Sequence, residues 1–146
     1  MIFFETERLI CKSDLCVENG KLVKCEKDNT INILDTKPTT GEENGFVFYS
    51  KASKTTLVCH IGIIYTRGRF EVSYGVDTES LRGQGYTTEA LMTLCKWLFD
   101  NTDQDVIWAL PNGPCKDASV RVLEKCNFIP TDVENGLVWY ELRREK

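Results

Sequence analysis

The sequence predicts an α+β domain in which an antiparallel run of strands is followed by helices and further strands. Between residues 46 and 76, three runs of β-branched and aromatic residues alternate with polar and glycine turns, a pattern typical of an antiparallel meander. Residues 88–100 then place apolar side chains at helical spacing, and a second helix is predicted over 117–126. With 146 residues, 42% of them hydrophobic, we expect one domain spanning 1–146 around a single core.

The first third of the chain reads as strands. Residues 9–36 are rich in strand formers, and Asn19-Gly20 between two apolar runs is the strongest short hairpin signal. Residues 37–45 are a loop by composition. The later strands are predicted at 46–50, 56–65, 69–76, 105–109 and 137–142.

A glycine turn joins the third meander strand to the first helix. In the stretch 82–91, RGQGYTTEAL, Gly83 and Gly85 let the backbone approach a ligand because they have no Cβ. Backbone N–H groups at a helix N-terminus, where Thr87 or Thr88 can cap, form a site for a phosphate. The arginine that opens the stretch adds a positive charge. The turn therefore predicts a pyrophosphate-binding loop, the alternative being an ordinary glycine turn that opens a helix.

This loop matches neither common nucleotide motif, since no P-loop lysine follows a glycine and position 88 lacks the third glycine of the dinucleotide fingerprint. It resembles the coenzyme A loop of the GNAT N-acetyltransferase superfamily, which reads Gln or Arg, two residues, Gly, one residue, then Gly or Ala. Here the pattern is Arg82-x-x-Gly85-x-Thr87, with Thr in the last slot. The resemblance implies acetyl-CoA binding by Arg82, Gly83, Gln84, Gly85, Tyr86, Thr87 and Thr88.

A second stretch resembles the same superfamily. Residues 117–128, DASVRVLEKCNF, are similar to a helix of its ribosomal-protein N-terminal acetyltransferase (Rim-type) branch, which 82–91 and residues 5–10, ETERLI, also match. The likeness covers residues 71–128 well and the N-terminal third poorly. It implies the GNAT acyl-CoA N-acyltransferase fold, a three-layer α+β arrangement of a mixed, mostly antiparallel twisted sheet with helices on both faces.

Several positions depart from the branch's pattern. Its Asn three residues before Ser119 is Lys116 here, unless Asn112 serves across a shifted loop. Its Gly before the final Phe is Asn127, the next most tolerant residue at a left-handed C-cap. The Tyr that many relatives use as a proton donor falls on Leu123. Relatives also place two helices between the first two strands, where this sequence predicts strands.

Composition restricts the partners. A net charge of −4 and a pI near 5.1 argue against non-specific nucleic-acid binding, which needs a basic face. No apolar run approaches the ~18 residues of a membrane span, and MIFFETE is not a signal peptide. We expect a soluble, cytoplasmic monomer or homodimer without a nucleic-acid or membrane partner.

The seven cysteines are consistent with a cytoplasmic protein. They are odd in number, form no C-x-x-C pair and lie mostly in apolar runs, so we expect reduced thiols packed as small hydrophobes. With one histidine in the chain, no metal site is expected. A cysteine nucleophile would need Cys59 or Cys115 beside His60, and adjacent strand residues point to opposite faces, which disfavours Cys59.

The resemblance implies that an amine attacks the thioester of acetyl-CoA directly, without a covalent enzyme intermediate. A carboxylate can take the proton of the amine, and Glu71 is the candidate; a solvent-facing strand glutamate is the alternative. His60 is a weaker candidate base, because histidines inside apolar strand runs are more often structural. A backbone N–H near Tyr74 to Val76 would bind the oxyanion, so the resemblance implies that Tyr74 and Val76 contact acetyl-CoA.

Two further residues carry roles implied by the resemblance. Ser119 would contact coenzyme A and stabilise the leaving thiolate in the absence of the helix tyrosine, the alternative being a first-turn helix cap. Lys116 could reach a coenzyme A phosphate, or be an ordinary exposed loop lysine.

The function predicted first is therefore an acetyl-CoA-dependent N-acetyltransferase that uses no metal. Its acceptor would be a primary amine, either a peptide N-terminus or a small molecule. Two alternatives remain: a non-catalytic acyl-CoA-binding domain that kept the loop, and an unrelated nucleotide-binding protein using the same glycine turn.

Overall fold

The computed structural model describes residues 2–26, 29–32, 45–66 and 68–145. In chain order its strands and α-helices are β1 (Ile2–Glu5), β2 (Leu9–Ser13), β3 (Leu15–Glu18), β4 (Lys21–Glu26), β5 (Asn29–Asn32), β6 (Gly45–Ser50), β7 (Leu57–Thr66), β8 (Arg69–Val76), α1 (Tyr86–Asn101), β9 (Val106–Ala109), α2 (Lys116–Lys125), β10 (Ile129–Glu134) and β11 (Leu137–Arg143). Among the helices of the described segments, none is both long and apolar enough to span a membrane.

Eight strands form one sheet in the order β1-β2-β6-β7-β8-β9-β11-β10, and β3-β4-β5 form a second, smaller sheet. All neighbours in the large sheet are antiparallel except β8 and β9, which α1 connects in parallel. The mixed, mostly antiparallel sheet of the α+β prediction is thereby confirmed. The parallel pair matters for the site, because α1 must leave β8 and return to β9 on one face of the sheet.

The N-terminal hairpin is confirmed. Asn19 and Gly20 join β3 to β4 with φ of 52° and 79°, the left-handed pair that a two-residue hairpin turn requires. Strands continue to Asn32, as predicted; residues 33–36 and the loop predicted over 37–44 lie outside the described residues. No described residue between β1 and β6 is helical, so the two helices that the resemblance implies there have no counterpart in this part of the structure.

Both described helices pack on one face of the large sheet. Along β8, buried Phe70 and Val72 alternate with less buried residues, and they share one core with Leu94 of α1 and Leu123 of α2. Because alternate strand residues point to opposite faces, α1 and α2 lie on the Phe70 face. The other face, where the resemblance implies further helices, carries Glu71 and is covered by neither of the two described α-helices.

Two strands were missed by the sequence interpretation. Strand β1 is four residues long, and β10 carries Pro130 at its second position. Proline lacks the N–H that an interior strand must donate, so it lowers a strand prediction, yet it is tolerated at a sheet edge. Strand β10 is such an edge.

Among the cysteines whose side chains the structure describes, five are free thiols, as predicted. Cys11, Cys59, Cys95 and Cys126 are buried free thiols, and Cys115 is an exposed free thiol. Cys16 is disulfide-bonded, so the prediction of reduced thiols is wrong at this position. It lies on β3 of the small sheet. An odd cysteine count without a C-x-x-C pair did not reveal this disulfide.

Candidate functional site

A cavity of about 460 Å³ lies between the end of β8, the glycine turn and both helices. The residues that line it are Tyr74, Gly75, Val76, Leu81, Arg82, Gly83, Gly85, Tyr86, Thr87, Thr88, Cys115, Ala118, Ser119, Arg121, Val122 and Lys125. The cavity thus joins the two motifs that the sequence interpretation singled out, the glycine turn and the second helix.

Helix α1 presents an uncapped N-terminus to this cavity. It begins at Tyr86, and its N-cap is Gly85 with φ of 80°; Gly83 is also left-handed, with φ of 76°. No side chain hydrogen-bonds the cap, so the predicted capping by Thr87 or Thr88 is wrong: both lie inside the first turn and line the cavity. The first N–H groups of a helix have no acceptor within it, which leaves them available to a ligand.

The cavity is positively charged although the chain is acidic. Arg82, Arg121 and Lys125 line it, and no carboxylate of the described residues does. Arg121 and Lys125 are four residues apart, so they share one face of α2. Together with the positive end of the α1 dipole, these cations suit a ligand that carries more than one phosphate. The sequence interpretation missed both α2 cations, and their four-residue spacing was the available signal.

A hydrogen-bond network fastens the glycine turn to the segment between β1 and β2. The Glu89 carboxylate, in the first turn of α1, accepts hydrogen bonds from Thr6 Oγ1, from Arg8 N at 2.9 Å and from Arg8 Nε at 2.6 Å. Arg8 Nη1 donates to the Gln84 carbonyl at 3.0 Å, and its guanidinium stacks over the Tyr86 ring at 4.0 Å. The ETERLI segment therefore holds the glycine turn and the start of α1 in place.

This network makes stability depend on the ionised form of Glu89. Partial burial raises the pKa of Glu89. The hydrogen bonds from Thr6 and Arg8 and the Arg8 charge together lower this pKa by more than burial raises it, so the pKa lies below its ordinary value. A carboxyl with a depressed folded-state pKa stabilises the fold above its unfolded-state pKa and loses that contribution as pH falls through the folded value.

We expect Glu89→Gln to lower the free energy of unfolding by about 1–3 kcal/mol at neutral pH, because it leaves partly buried donors without an anionic acceptor. The difference from wild type should shrink as the pH falls through the lowered folded-state pKa of Glu89, where the wild-type carboxyl also becomes protonated. Urea unfolding of both proteins across this pH range measures the effect.

Glu79→Gln is the matched control. Glu79 meets Arg82 at 3.9 Å with its carboxylate largely exposed, so its loss should change the unfolding free energy by under about 0.5 kcal/mol. Equal losses in the two variants would contradict the assignment of a supporting role to the Glu89 network.

Strands β8 and β9 separate beside the cavity. They register at Glu71 and Trp108, and no later pair forms in the described residues, so Tyr74 to Val76 keep β7 as partner on one side and face the gap on the other. Tyr74 Oη spans this region and donates to the Ser119 carbonyl at 2.8 Å. Burial raises the pKa of Tyr74, which keeps the phenol protonated as a donor.

The family follows from a comparison with known proteins. A model of the acetyltransferase (GNAT) domain family matches residues 23–129, which is most of the chain. This chain belongs to the GNAT acetyltransferase family. No curated protein sequence matches it.

Solved structures share the GNAT fold of this chain. An acetyltransferase from Agrobacterium tumefaciens aligns over 99% of this chain and 95% of its own, with a TM-score of 0.68 and 14% identity. A Vibrio cholerae protein described as a ribosomal-protein-serine acetyltransferase aligns over 68% and 63%, with a TM-score of 0.57 and 18% identity. A ribosomal-protein alpha-N-acetyltransferase in complex with coenzyme A aligns over 68% and 60%, with a TM-score of 0.55 and 15% identity.

The chain therefore spans less than two thirds of the length of the two ribosomal-protein acetyltransferases. At these identities the likeness shows the fold.

Most of the predicted coenzyme A residues of this GNAT domain lie together at the cavity: Tyr74, Val76, Arg82, Gly83, Gly85, Tyr86, Thr87, Thr88 and Ser119. Gln84 and Lys116 were also predicted and do not line it. Gln84 Nε2 donates to the Ser80 carbonyl at 3.1 Å, and Lys116 is the exposed first residue of α2. Asn112, the alternative to Lys116, donates to the Leu110 carbonyl at 2.9 Å instead.

The two predicted catalytic residues are placed differently. Ser119 is the fourth residue of α2 and lines the cavity; the N-cap is Cys115, so Ser119 does not cap the helix. Glu71 does not line the cavity and lies on the sheet face opposite both helices, beside Trp108. It is four residues before Gly75, roughly 13 Å along an extended strand.

Proposed function

We propose that the protein is an N-acetyltransferase that binds acetyl-CoA in this cavity and transfers its acetyl group to a primary amine. One observation carries the proposal. The uncapped N-terminus of α1, behind left-handed Gly83 and Gly85, faces a cavity lined by three cations and, among the described residues, no carboxylate. Coenzyme A carries a pyrophosphate and a further phosphate, the anionic groups that such a helix start binds.

Each part of the cavity has a role in binding the donor. The N–H groups of the glycine turn and Arg82 hold the pyrophosphate, and Arg121 and Lys125 neutralise the remaining phosphate charge. The β8 edge at Tyr74 to Val76 offers backbone groups to the pantetheine amides and a donor to the oxyanion. Ser119 provides a hydroxyl beside the leaving thiolate, which acetyl-CoA supplies when its C–S bond breaks.

The acceptor we infer is a primary amine, and a peptide N-terminus is favoured over a small-molecule amine. The ETERLI segment, which resembles the Rim-type branch, contacts the first turn of α1 through hydrogen bonds from Thr6 and Arg8 to Glu89. The structural neighbours include both ribosomal-protein acetyltransferases and an aminoglycoside acetyltransferase, so they support an amine acceptor and the choice of a peptide rests on the ETERLI resemblance. That residues 1–146 form one cytoplasmic domain, monomeric or homodimeric, remains part of the proposal.

Release of the coenzyme A thiol from acetyl-CoA tests the function. We expect a release rate that saturates with added amine across a panel of peptides with different first residues and of small amines. Tight acetyl-CoA binding with no turnover across the panel would contradict it and support a non-catalytic acyl-CoA-binding domain. Leu123, buried where relatives have a tyrosine donor, is the observation that favours this second candidate.

A further inference from the structure

A histidine–aspartate pair stands at the end of β8 outside the predicted site. Nδ1 of His60 lies 2.9 Å from Oδ2 and 3.0 Å from Oδ1 of Asp77. A carboxylate at Nδ1 fixes the neutral tautomer in which Nδ1 carries the proton and Nε2 carries the lone pair. The pair is thus arranged to accept a proton at Nε2.

The turn after β8 holds the carboxylate of this pair in place. Asp77 N donates to the Val58 carbonyl at 2.9 Å, and Thr78 Oγ1 donates to the Leu57 carbonyl at 2.5 Å. Both bonds tie the turn to the start of β7, the strand that carries His60. The side chains of His60 and Asp77 are each partly buried, which limits competition from water for their hydrogen bond.

The imidazole lies against the strand that borders the cavity. His60 is the cross-strand partner of Gly75, and Gly75 lines the cavity. A Cβ on Gly75 would stand 3.1 Å from His60 Cε1, closer than side chains ordinarily pack, and 3.4 Å from Nε2. Gly75 does not adopt a left-handed φ, so the space taken by the imidazole explains this glycine.

The ring reaches the sheet at the point where β8 and β9 have separated. Residues of β8 after Glu71 have no β9 partner in the described residues. The imidazole lies on the face opposite α1 and α2, since Gly75 alternates with the cavity-facing side chains of Tyr74 and Val76. An amine arriving from that face would meet a thioester in the gap with Nε2 beside it.

We propose that His60, oriented by Asp77, is the general base that deprotonates the acceptor amine. The proposal rests on the acetyltransferase function proposed above. The amine nitrogen forms the C–N bond to the thioester carbonyl carbon while Nε2 accepts one of its protons. The oxyanion then collapses, the C–S bond breaks, and the imidazolium returns the proton to the departing thiolate, directly or through water.

Two other residues could compete for this role. Neither Glu71 nor His60 lines the cavity, but the His60 ring contacts the cavity-lining Gly75, whereas Glu71 lies four residues before Gly75, roughly 13 Å along β8. Cys59 is buried next to His60 in sequence, and burial raises the pKa of its thiol to about 12, so it neither ionises readily nor serves as a nucleophile. The geometry therefore assigns base catalysis to His60.

The test compares three variants with wild type in steady-state kinetics with varied amine at saturating acetyl-CoA, and in acetyl-CoA calorimetry. His60→Ala should lower kcat by about 100-fold or more, as loss of a general base does, and leave the Kd for acetyl-CoA within about twofold. Added imidazole should restore part of the kcat of His60→Ala. Asp77→Asn, which disturbs the tautomer, and Gly75→Ala, which displaces the ring, should each lower kcat at least about tenfold.

The outcomes separate this inference from the proposed function. The role of His60 alone is overturned if the wild-type protein acetylates the amine and His60→Ala keeps the wild-type kcat. It is also overturned if His60→Ala loses kcat and added imidazole restores none of it. A wild-type protein that neither binds nor consumes acetyl-CoA overturns the acetyltransferase proposal itself. If His60→Ala does not fold, His60→Gln serves, because its amide can keep the Asp77 contact but cannot accept a proton.

Discussion

Gly85→Asp is expected to weaken coenzyme A binding by at least about 100-fold, or roughly 2.7 kcal/mol, while the protein still folds. Gly85 has φ of 80°, a conformation that aspartate tolerates better than most residues. The new carboxylate would stand at the start of α1, where the phosphate is expected. A Cβ here would lie 3.6 Å from Arg8 Nη2, so the carboxylate would also be held in place by that guanidinium.

Gly136→Asp is the matched control for this variant. Gly136 has φ of 79° and no neighbouring atom within 4 Å of an added Cβ, and it lies in the turn between β10 and β11, away from the cavity. Calorimetric titration with coenzyme A should find near wild-type affinity for this control. Undiminished affinity in a folded Gly85→Asp protein would contradict the assignment of the glycine turn as the pyrophosphate site.

Arg121→Glu is expected to weaken acetyl-CoA binding by about 10- to 100-fold, because it replaces a cavity cation by an anion beside bound phosphates. The loss should be larger at low ionic strength, where the added repulsion is screened less. Dissociation constants measured at two salt concentrations, for Arg121→Glu and for wild type, give both quantities.

Lys116→Glu makes the same charge change on the same helix. Lys116 was predicted from sequence to reach a phosphate, but it does not line the cavity, so its reversal should change the dissociation constant by less than about threefold. An equal loss in the two variants would show that the long-range field of α2, and not the cavity lining, governs affinity.

Local features of the sequence predicted the site best. The strand, glycine turn and helix of residues 69–101 are contiguous, so Gly83 and Gly85 could be assigned to a loop without knowledge of the fold. The Asn19-Gly20 hairpin was likewise readable from two residues, and it gave the correct structure where the family resemblance implied helices.

Features that depend on tertiary register were not readable. His60 and Asp77 are 17 residues apart, and they meet because β7 and β8 pair with His60 opposite Gly75. Glu89 and Arg8 are 81 residues apart. The cap assigned to Thr87 or Thr88 failed for a related reason. Sequence rules assign a capping side chain to the N-terminus of every helix, whereas no side chain caps the N-terminus of α1, which faces the cavity.

Calorimetric titration of the wild-type protein with acetyl-CoA, alongside ATP and NAD, tests the central claim most directly. We predict binding at an affinity on the order of micromolar for acetyl-CoA, with ATP and NAD at least about tenfold weaker, because the cavity offers cations and an open helix start on a GNAT fold. Absence of acetyl-CoA binding, or a preference for ATP or NAD, would contradict the claim.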